Sequence, residues 1–200
     1  MSSRDQILAA VAANKPQLKP LPVGLYQPES GYNLIDRFTE NATFIGGKVH
    51  TITAVNEIKD FITAYFNDAK RIITNVDALK NVATLLLYTD PEKQVPHEFE
   101  NVDLAILDAH FGVAENGAIW ITEDLLHHRV LPFITQHLIL IIKEETIVAS
   151  LQDAYARIGN NDYGYGVFIS GPSKTADIEQ SLVIGAHGSR SLDVFIIRRP

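Results

Sequence analysis

Cysteine does not occur in the 200-residue chain. Its absence removes disulfides, thiolate zinc sites, cysteine nucleophiles and iron–sulfur ligation together, so any redox metal must sit on another protein. The chain also lacks a concentration of positive charge. Seventeen lysines and arginines are scattered against 24 acidic residues, for a net charge of −7, which argues against nucleic acid or an anionic membrane as a partner. No apolar run approaches the roughly 20 residues needed to span a bilayer. The opening "MSSRDQILAAVAANKP" has no long apolar stretch and no small-residue cleavage site, so the expected location is the cytoplasm. Internal repeats and low-complexity tracts are missing as well.

What is present is enough apolar residue, 46%, for one sizeable core. Residues 3–14 fit a helix with Ser3 as its cap and Ile7, Leu8 and Val11 on one face. From Lys15 to Gly31 come four prolines and two glycines, the composition of a linker or strap. The expected division is therefore a helical N-terminal extension with its Pro-rich linker, 1–31, followed by one α/β domain, 32–200.

In that domain "YNLIDRFTENA" and "AVNEIKDFITAYFNDA" read as helices, with "TFIGGKVHTI" between them as a glycine-interrupted strand or hairpin. Short apolar runs follow at "RIITNV", "ATLLLY", "VDLAILDA", "GAIWIT", "HLILIIK", "YGVFISG" and "SLDVFIIR". The spacing predicts further helices over "TIVASLQDAYARI" and over about 175–185. Strands that are apolar at every position, alternating with helices, predict a mainly parallel sheet flanked by helices on both faces.

Two corners carry the polar chemistry. In "FISGPSKTADIEQ" a strand ends at Ser170 and turns through Gly171 and Pro172. If a helix starts near Ser173 or Thr175, its first-turn amides face the ligand-binding end of the sheet, where Ser170, Ser173, Lys174 and Thr175 can hold a small polar molecule. The alternative is that Ser173 or Thr175 only caps the helix. Asp177 and Glu179 in the first turn would repel a phosphate. A helix over 175–185 would also hold His187 roughly 16 Å from Ser173, leaving "GAHGSR" as a glycine cap and turn or a subunit contact.

The second corner is "HFGVAENG", with His110, Glu115, Asn116 and Gly117. A carboxylate nucleophile needs preorganised donors around its tetrahedral intermediate, and glycine amides supply them. Asn-Gly is equally a hairpin turn. Elsewhere, His127 and His128 are adjacent and so point apart on a helix, which suits a solvated or partner-facing patch better than a metal site. Arg129 can take a carboxylate bidentately. The glycine pair before Lys48 and His50 lacks a phosphate-loop spacing and reads as a hairpin turn, and Tyr163 and Tyr165 sit in a connector or interface loop.

Three stretches, "FGVAENGAIWIT", "HLILIIKEETIV" and "ISGPSKTADIEQSLVIGAHGSRSLDVFII", resemble the LUD domain family of lactate utilization proteins, specifically its LutC-type members. Ser170 to Glu179 and Gly185 to Gly188 match the most specific motif closely. Members commonly carry Thr at the position of Asn116 and Pro at that of Ser189. The resemblance implies a fold similar to the NagB/RpiA/CoA-transferase-like group, and participation with two iron–sulfur partner proteins in oxidising L-lactate to pyruvate. A cysteine-free chain is then the subunit without a cluster, contributing binding or assembly, with a small carboxylate as a ligand near the two corners. Glu115-Asn116-Gly117 also resembles the Glu-Asn-Gly of class I CoA-transferases, whose glutamate forms an acyl-enzyme with CoA. The rival expectations are therefore a CoA- or acyl-transferring enzyme using Glu115, and a binding protein for a small carboxylate or sugar phosphate; a homo-oligomer fits any of these.

Overall fold

The computed structural model describes residues 2–20, 31–85, 95–126, 128–176, 182–184 and 188–199. Helix α1 spans Ser3–Ala13, and its cap is Ser2, one residue before the expected Ser3. Ser2 and Asp5 form a reciprocal capping box, and α1 buries none of its residues. Helix α2, Leu34–Phe44, starts at Asn33, whose side chain accepts from the Ile35 amide, and it buries Phe38 and Ala42. The glycine pair that follows does not make a hairpin. Gly46 adopts φ 94° and the Gly47 amide donates to Ala42 O at 2.9 Å, which turns the helix directly into strand β1, Lys48–Ile52. Helix α3, Asn56–Tyr65, comes next.

Strands β2 (Ile72–Thr74), β3 (Thr84–Leu85), β4 (Leu104–Asp108), β7 (His137–Lys143) and β11 (Ser191–Ile197) join β1 in a six-stranded sheet. Its order is β1-β11-β7-β4-β2-β3, and every pairing is parallel. Both faces are covered, which explains runs that are apolar at every position: Leu138 to Ile142 are all buried. One face presents Leu104, Ile106, Ile139, Ile141 and Phe195 to Ile58 and Ile62 of α3. The other packs Leu138, Leu140, Ile142, Val194 and Ile196 against Phe38 of α2. Side chains of this size contribute about 1.5–3 kcal/mol each on full burial, so this central slab fixes everything attached to it.

A second, antiparallel sheet of order β5-β6-β8 completes the covering of the α2 face, through Ile119 and Ile121. It comprises Phe111–Val113, Ala118–Thr122 and Gly166–Ile169. The Asn-Gly signal is fulfilled in the β5–β6 turn, where Gly117 has φ 66° and its amide donates to Val113 O at 2.9 Å. Short helices α4 (Glu123–Leu126) and α5 (Leu131–Ile134) lead into β7.

Two expected helices differ. Helix α6 covers only Leu151–Ile158, because Ser150 and Asp153 form a capping box there, and Val148 upstream is extended, donating to Gly112 O at 2.9 Å. The helix expected over 175–185 is not found at its two ends. Residues Lys174–Ala176 and Leu182–Ile184 form antiparallel strands β9 and β10, with Ala176 opposite Leu182. Thr175, Val183 and Ile184 are β-branched, which stiffens the side chain and favours extended backbone over the helical reading. Asp177, Glu179 and His187 lie outside the described residues.

Candidate functional site

His110 and Glu115, neighbours in the sequence corner, end up at opposite ends of the β5–β6 hairpin. Glu115 Oε2 accepts from the Leu151 amide at 2.7 Å, so its carboxylate sits at the N-terminus of α6, where the helix dipole favours a negative charge. The Glu115 amide donates to Ala149 O at 3.0 Å, and the Gly117 amide is used within the turn. Asn116 Oδ1 accepts from the Ala118 amide at 3.1 Å, so this side chain stabilises its own turn. The Glu115 and Gly117 amides are thus both spent on backbone carbonyls, and one oxygen of the Glu115 carboxylate is spent on α6.

The Ser170–Lys174 corner is tied to the same turn by the Ser170 hydroxyl, which donates to Asn116 O at 3.2 Å. Gly171 has φ 77°, and a Cβ there would stand 2.7 Å from Ile45 O, so only glycine fits. The Ser173 amide donates to Ser189 O at 2.9 Å, and a Cβ on Gly188 would lie 3.1 Å from Ser173 Cβ. The expected separation of about 16 Å between this corner and the "GAHGSR" segment is therefore corrected at Gly188 and Ser189: a hairpin returns the chain to its start, whereas a helix would carry it away. Ser189, one of the two departures from the family pattern expected from the sequence, is buried and acts here through its backbone carbonyl.

The placement of this corner also differs from expectation. Lys174 and Pro172 approach Gly46, just before β1, and Ser189 just precedes β11. The corner thus lies where the parallel strands begin, not at their C-terminal ends. With Lys174 and Thr175 extended in β9, no helix starts at this corner to aim its first-turn amides at a ligand.

His110 lines a cavity of about 720 Å³ with Trp120, Thr122, Asp124, Arg157 and Tyr163. Thr122, buried at the end of β6, donates its hydroxyl proton to Asp124 and stands 2.6 Å from His110 Nε2. That order of donation gives Thr122 Oγ1 the acceptor role toward His110 Nε2–H, the assignment the network requires. Burial alone would raise the Asp124 pKa, but the Thr122 hydroxyl, His110 and nearby backbone amides outweigh it and hold the carboxyl below its ordinary value. Glu123, Asp124 and Asp162 bring three carboxylates to this cleft, against the guanidinium of Arg157 in its lining and that of Arg129 on Glu123. Arg157 is itself committed, donating to Thr146 O at 3.0 Å and covering the Phe111 ring at 5.0 Å. Arg129, a candidate for an external carboxylate, grips Glu123 Oε2 through two nitrogens at 2.6 and 2.7 Å. The cleft suits a cationic or neutral hydrogen-bonding group and repels a small anion. Its sequence signal was the polar "TED" run closing the apolar strand "GAIWI". Among the described residues, no group of three or more histidines and carboxylates is placed to hold a metal ion.

A parallel, doubly covered sheet with a small antiparallel layer and a Ser-Gly-Pro-Ser corner clamped to its strand starts defines the class of α/β domain. The chain belongs to the LUD domain family, whose pattern matches residues 35–197. It is similar to Lactate utilization protein C of Oceanobacillus iheyensis, 29% identical over 105 residues, which are 49% of this chain and 45% of that protein. Lactate utilization protein C 1 of Bacillus mycoides is 35% identical over 92 residues, 43% and 39% of the two chains. The match thus spans less than half the length of these two relatives. Lactate utilization protein C of Deinococcus radiodurans is 23% identical over 198 residues, 94% of this chain and 90% of that one. The crystal structure of a DUF162 family protein from Deinococcus radiodurans superposes with a TM-score of 0.57 at 18% identity, covering 82% of this chain and 96% of that one, a likeness of fold.

Proposed function

We propose that this protein is a cytoplasmic component of a lactate utilization system that oxidises L-lactate to pyruvate, in which it binds or assembles and iron–sulfur partner proteins carry the electrons. The observation that carries this reading is membership of the LUD domain family together with relatives that bear the name Lactate utilization protein C. The sequence contains no cysteine, which supports placing the clusters on partners. No helix among the described residues is long and apolar enough to cross a membrane. Acyl transfer through Glu115 draws no support from a carboxylate already bonded to the Leu151 amide. The test is affinity purification of the full chain from its own host grown on L-lactate, under anaerobic conditions, with mass spectrometry of what accompanies it. Cysteine-rich iron–sulfur proteins are expected in stoichiometric amounts. Repeated recovery of the chain alone overturns the reading.

A further inference from the structure

On the α3 face of the parallel sheet, where its strands begin, lies a cavity of about 360 Å³. Lys48 opens β1, His137 opens β7 and Ser191 opens β11, and the two-residue period of a strand puts His50 and Asp193 on the same face. Lys48 and Asp193 stand directly opposite each other in the β1–β11 register. Phe61, Tyr65 and Phe66, at the end of α3, form the aromatic wall.

Asp193 is the anomaly of this region. Its side chain is only 3% exposed, and a buried carboxylate is costly unless its oxygens are occupied. His50 Nε2 meets Oδ1 at 2.8 Å, and its ring is fixed between Phe61 at 4.8 Å and Phe195 at 4.7 Å. Among the described residues nothing donates to Oδ2. Lys48 in turn has no carboxylate within ion-pair distance among the described residues, although its strand partner is an aspartate. His137 Nδ1 lies 2.8 Å from Ser191 Oγ. Burial, then Arg190 and Lys48, hold the His137 pKa below 6.5 against the opposing pull of Asp193 and Asp103. At neutral pH this ring is therefore an uncharged hydrogen-bonding partner.

A cation and a spare buried acceptor thus flank one aromatic-walled cavity from adjacent strands, which run about 5 Å apart. An inorganic anion satisfies the first and is repelled by the second. We propose that this cavity binds a small organic carboxylate with a hydrogen-bond donor on the neighbouring carbon, a 2-hydroxy or 2-amino acid. The carboxylate pairs with Lys48, the hydroxyl or ammonium donates to Asp193 Oδ2, and the short apolar end lies against the phenyl rings. The site depends on the lactate reading only for the choice of first probe. Failure of partner co-purification leaves it standing, and absence of binding leaves the partner reading standing.

The experiment titrates the full chain with L-lactate, L-alanine and pyruvate, following the histidine side chains by NMR and affinity by calorimetry. Saturable binding of lactate or alanine is expected, with shifts at His50 and His137; which acid binds identifies the donor as hydroxyl or ammonium. Pyruvate, which has no donor, binds about tenfold or more weaker, and Lys48→Ala weakens the preferred acid by at least about tenfold. Lys80→Ala, an exposed residue paired with Asp77, leaves affinity unchanged. Asp193→Asn, confirmed folded by its thermal transition, narrows the preference over pyruvate. No saturation by either acid in the millimolar range, equal binding of pyruvate, or full affinity in Lys48→Ala overturns the proposal.

Discussion

Replacing Gly117 by alanine separates a structural turn from a ligand-binding one. The residue has φ 66°, and a Cβ there would sit 2.6 Å from Ala42 N, 2.7 Å from Ala42 Cα and 3.1 Å from Ala42 Cβ. Two of those three atoms are the backbone of α2, so no rotamer change relieves the clash. The helix cannot withdraw freely, because Ala42 is buried and Asn41 beside it donates to Ala114 O at 2.7 Å and Glu115 O at 3.0 Å. The left-handed conformation costs a non-glycine residue about 1–2 kcal/mol, and overpacking adds about 1–3 kcal/mol. About 3 kcal/mol in total lowers Tm by roughly 6–12 °C for a chain of this size. Differential scanning calorimetry of wild type and Gly117→Ala reads this directly. Ala42→Gly in the same chain is expected not to rescue it, since the backbone atoms stay in place. A Tm loss below about 2 °C, or rescue by Ala42→Gly, refutes the account.

Glu115→Gln keeps an acceptor for the Leu151 amide but removes the charge from the N-terminus of α6, for a loss of about 0.5 kcal/mol in chemical denaturation. Intact mass after incubation with acyl-CoA donors is expected to show no adduct on wild type, and an adduct that this variant abolishes would restore the acyl-transfer reading. Asp108, at the end of β4, has its pKa raised above 3.8 by burial, with Lys143 pulling the other way. Its contribution to stability is full below pH 3.8 and is lost as pH rises through the folded-state pKa. Asp108→Asn is therefore more stable than wild type at pH 7, with a gap that closes as pH falls toward 3.8. Urea denaturation showing a pH-independent gap, or a less stable variant at pH 7, counts against that burial argument.

The parallel sheet was legible because double burial leaves a direct trace: Leu138 to Ile142 in "HLILIIK" and Val194 to Ile197 in "SLDVFII" are apolar on both faces, a pattern that excludes a half-solvated strand. The Asn-Gly turn was legible for a similarly local reason, the positive φ required at Gly117. The segment after Ser173 was not. "TADIEQSLVIGA" carries apolar residues that fit a helical period, and the pairing of Lys174–Ala176 with Leu182–Ile184 is a contact between positions that no local spacing distinguishes from a helix turn. The surroundings of Glu115 were not legible either, since its neighbours in the chain suggested an oxyanion site, whereas the bonding partner of its carboxylate, Leu151, is 36 positions away. His50, His137 and Asp193 gave even less signal, since three strands bring them together and only parallel register defines their shared face.

Charge separates the His110 cleft from the Lys48 cavity more sharply than size does. The 720 Å³ cleft gathers Glu123, Asp124 and Asp162 against the guanidinium groups of Arg157 and Arg129, an excess of one negative charge. The 360 Å³ cavity holds one carboxylate paired with histidine and a lysine with no partner among the described residues. A small acid therefore favours the lesser cavity. This assigns a use to the Ser-Gly-Pro-Ser corner that its own side chains do not. Pro172 and Lys174 press on Gly46, two residues before Lys48, and the Ser173 amide holds Ser189 O, two residues before Ser191. The corner clamps the entries of β1 and β11, the two strands that present Lys48 and Asp193 to each other. Its glycine and backbone bonds thus position a site whose chemistry is carried by residues outside the motif.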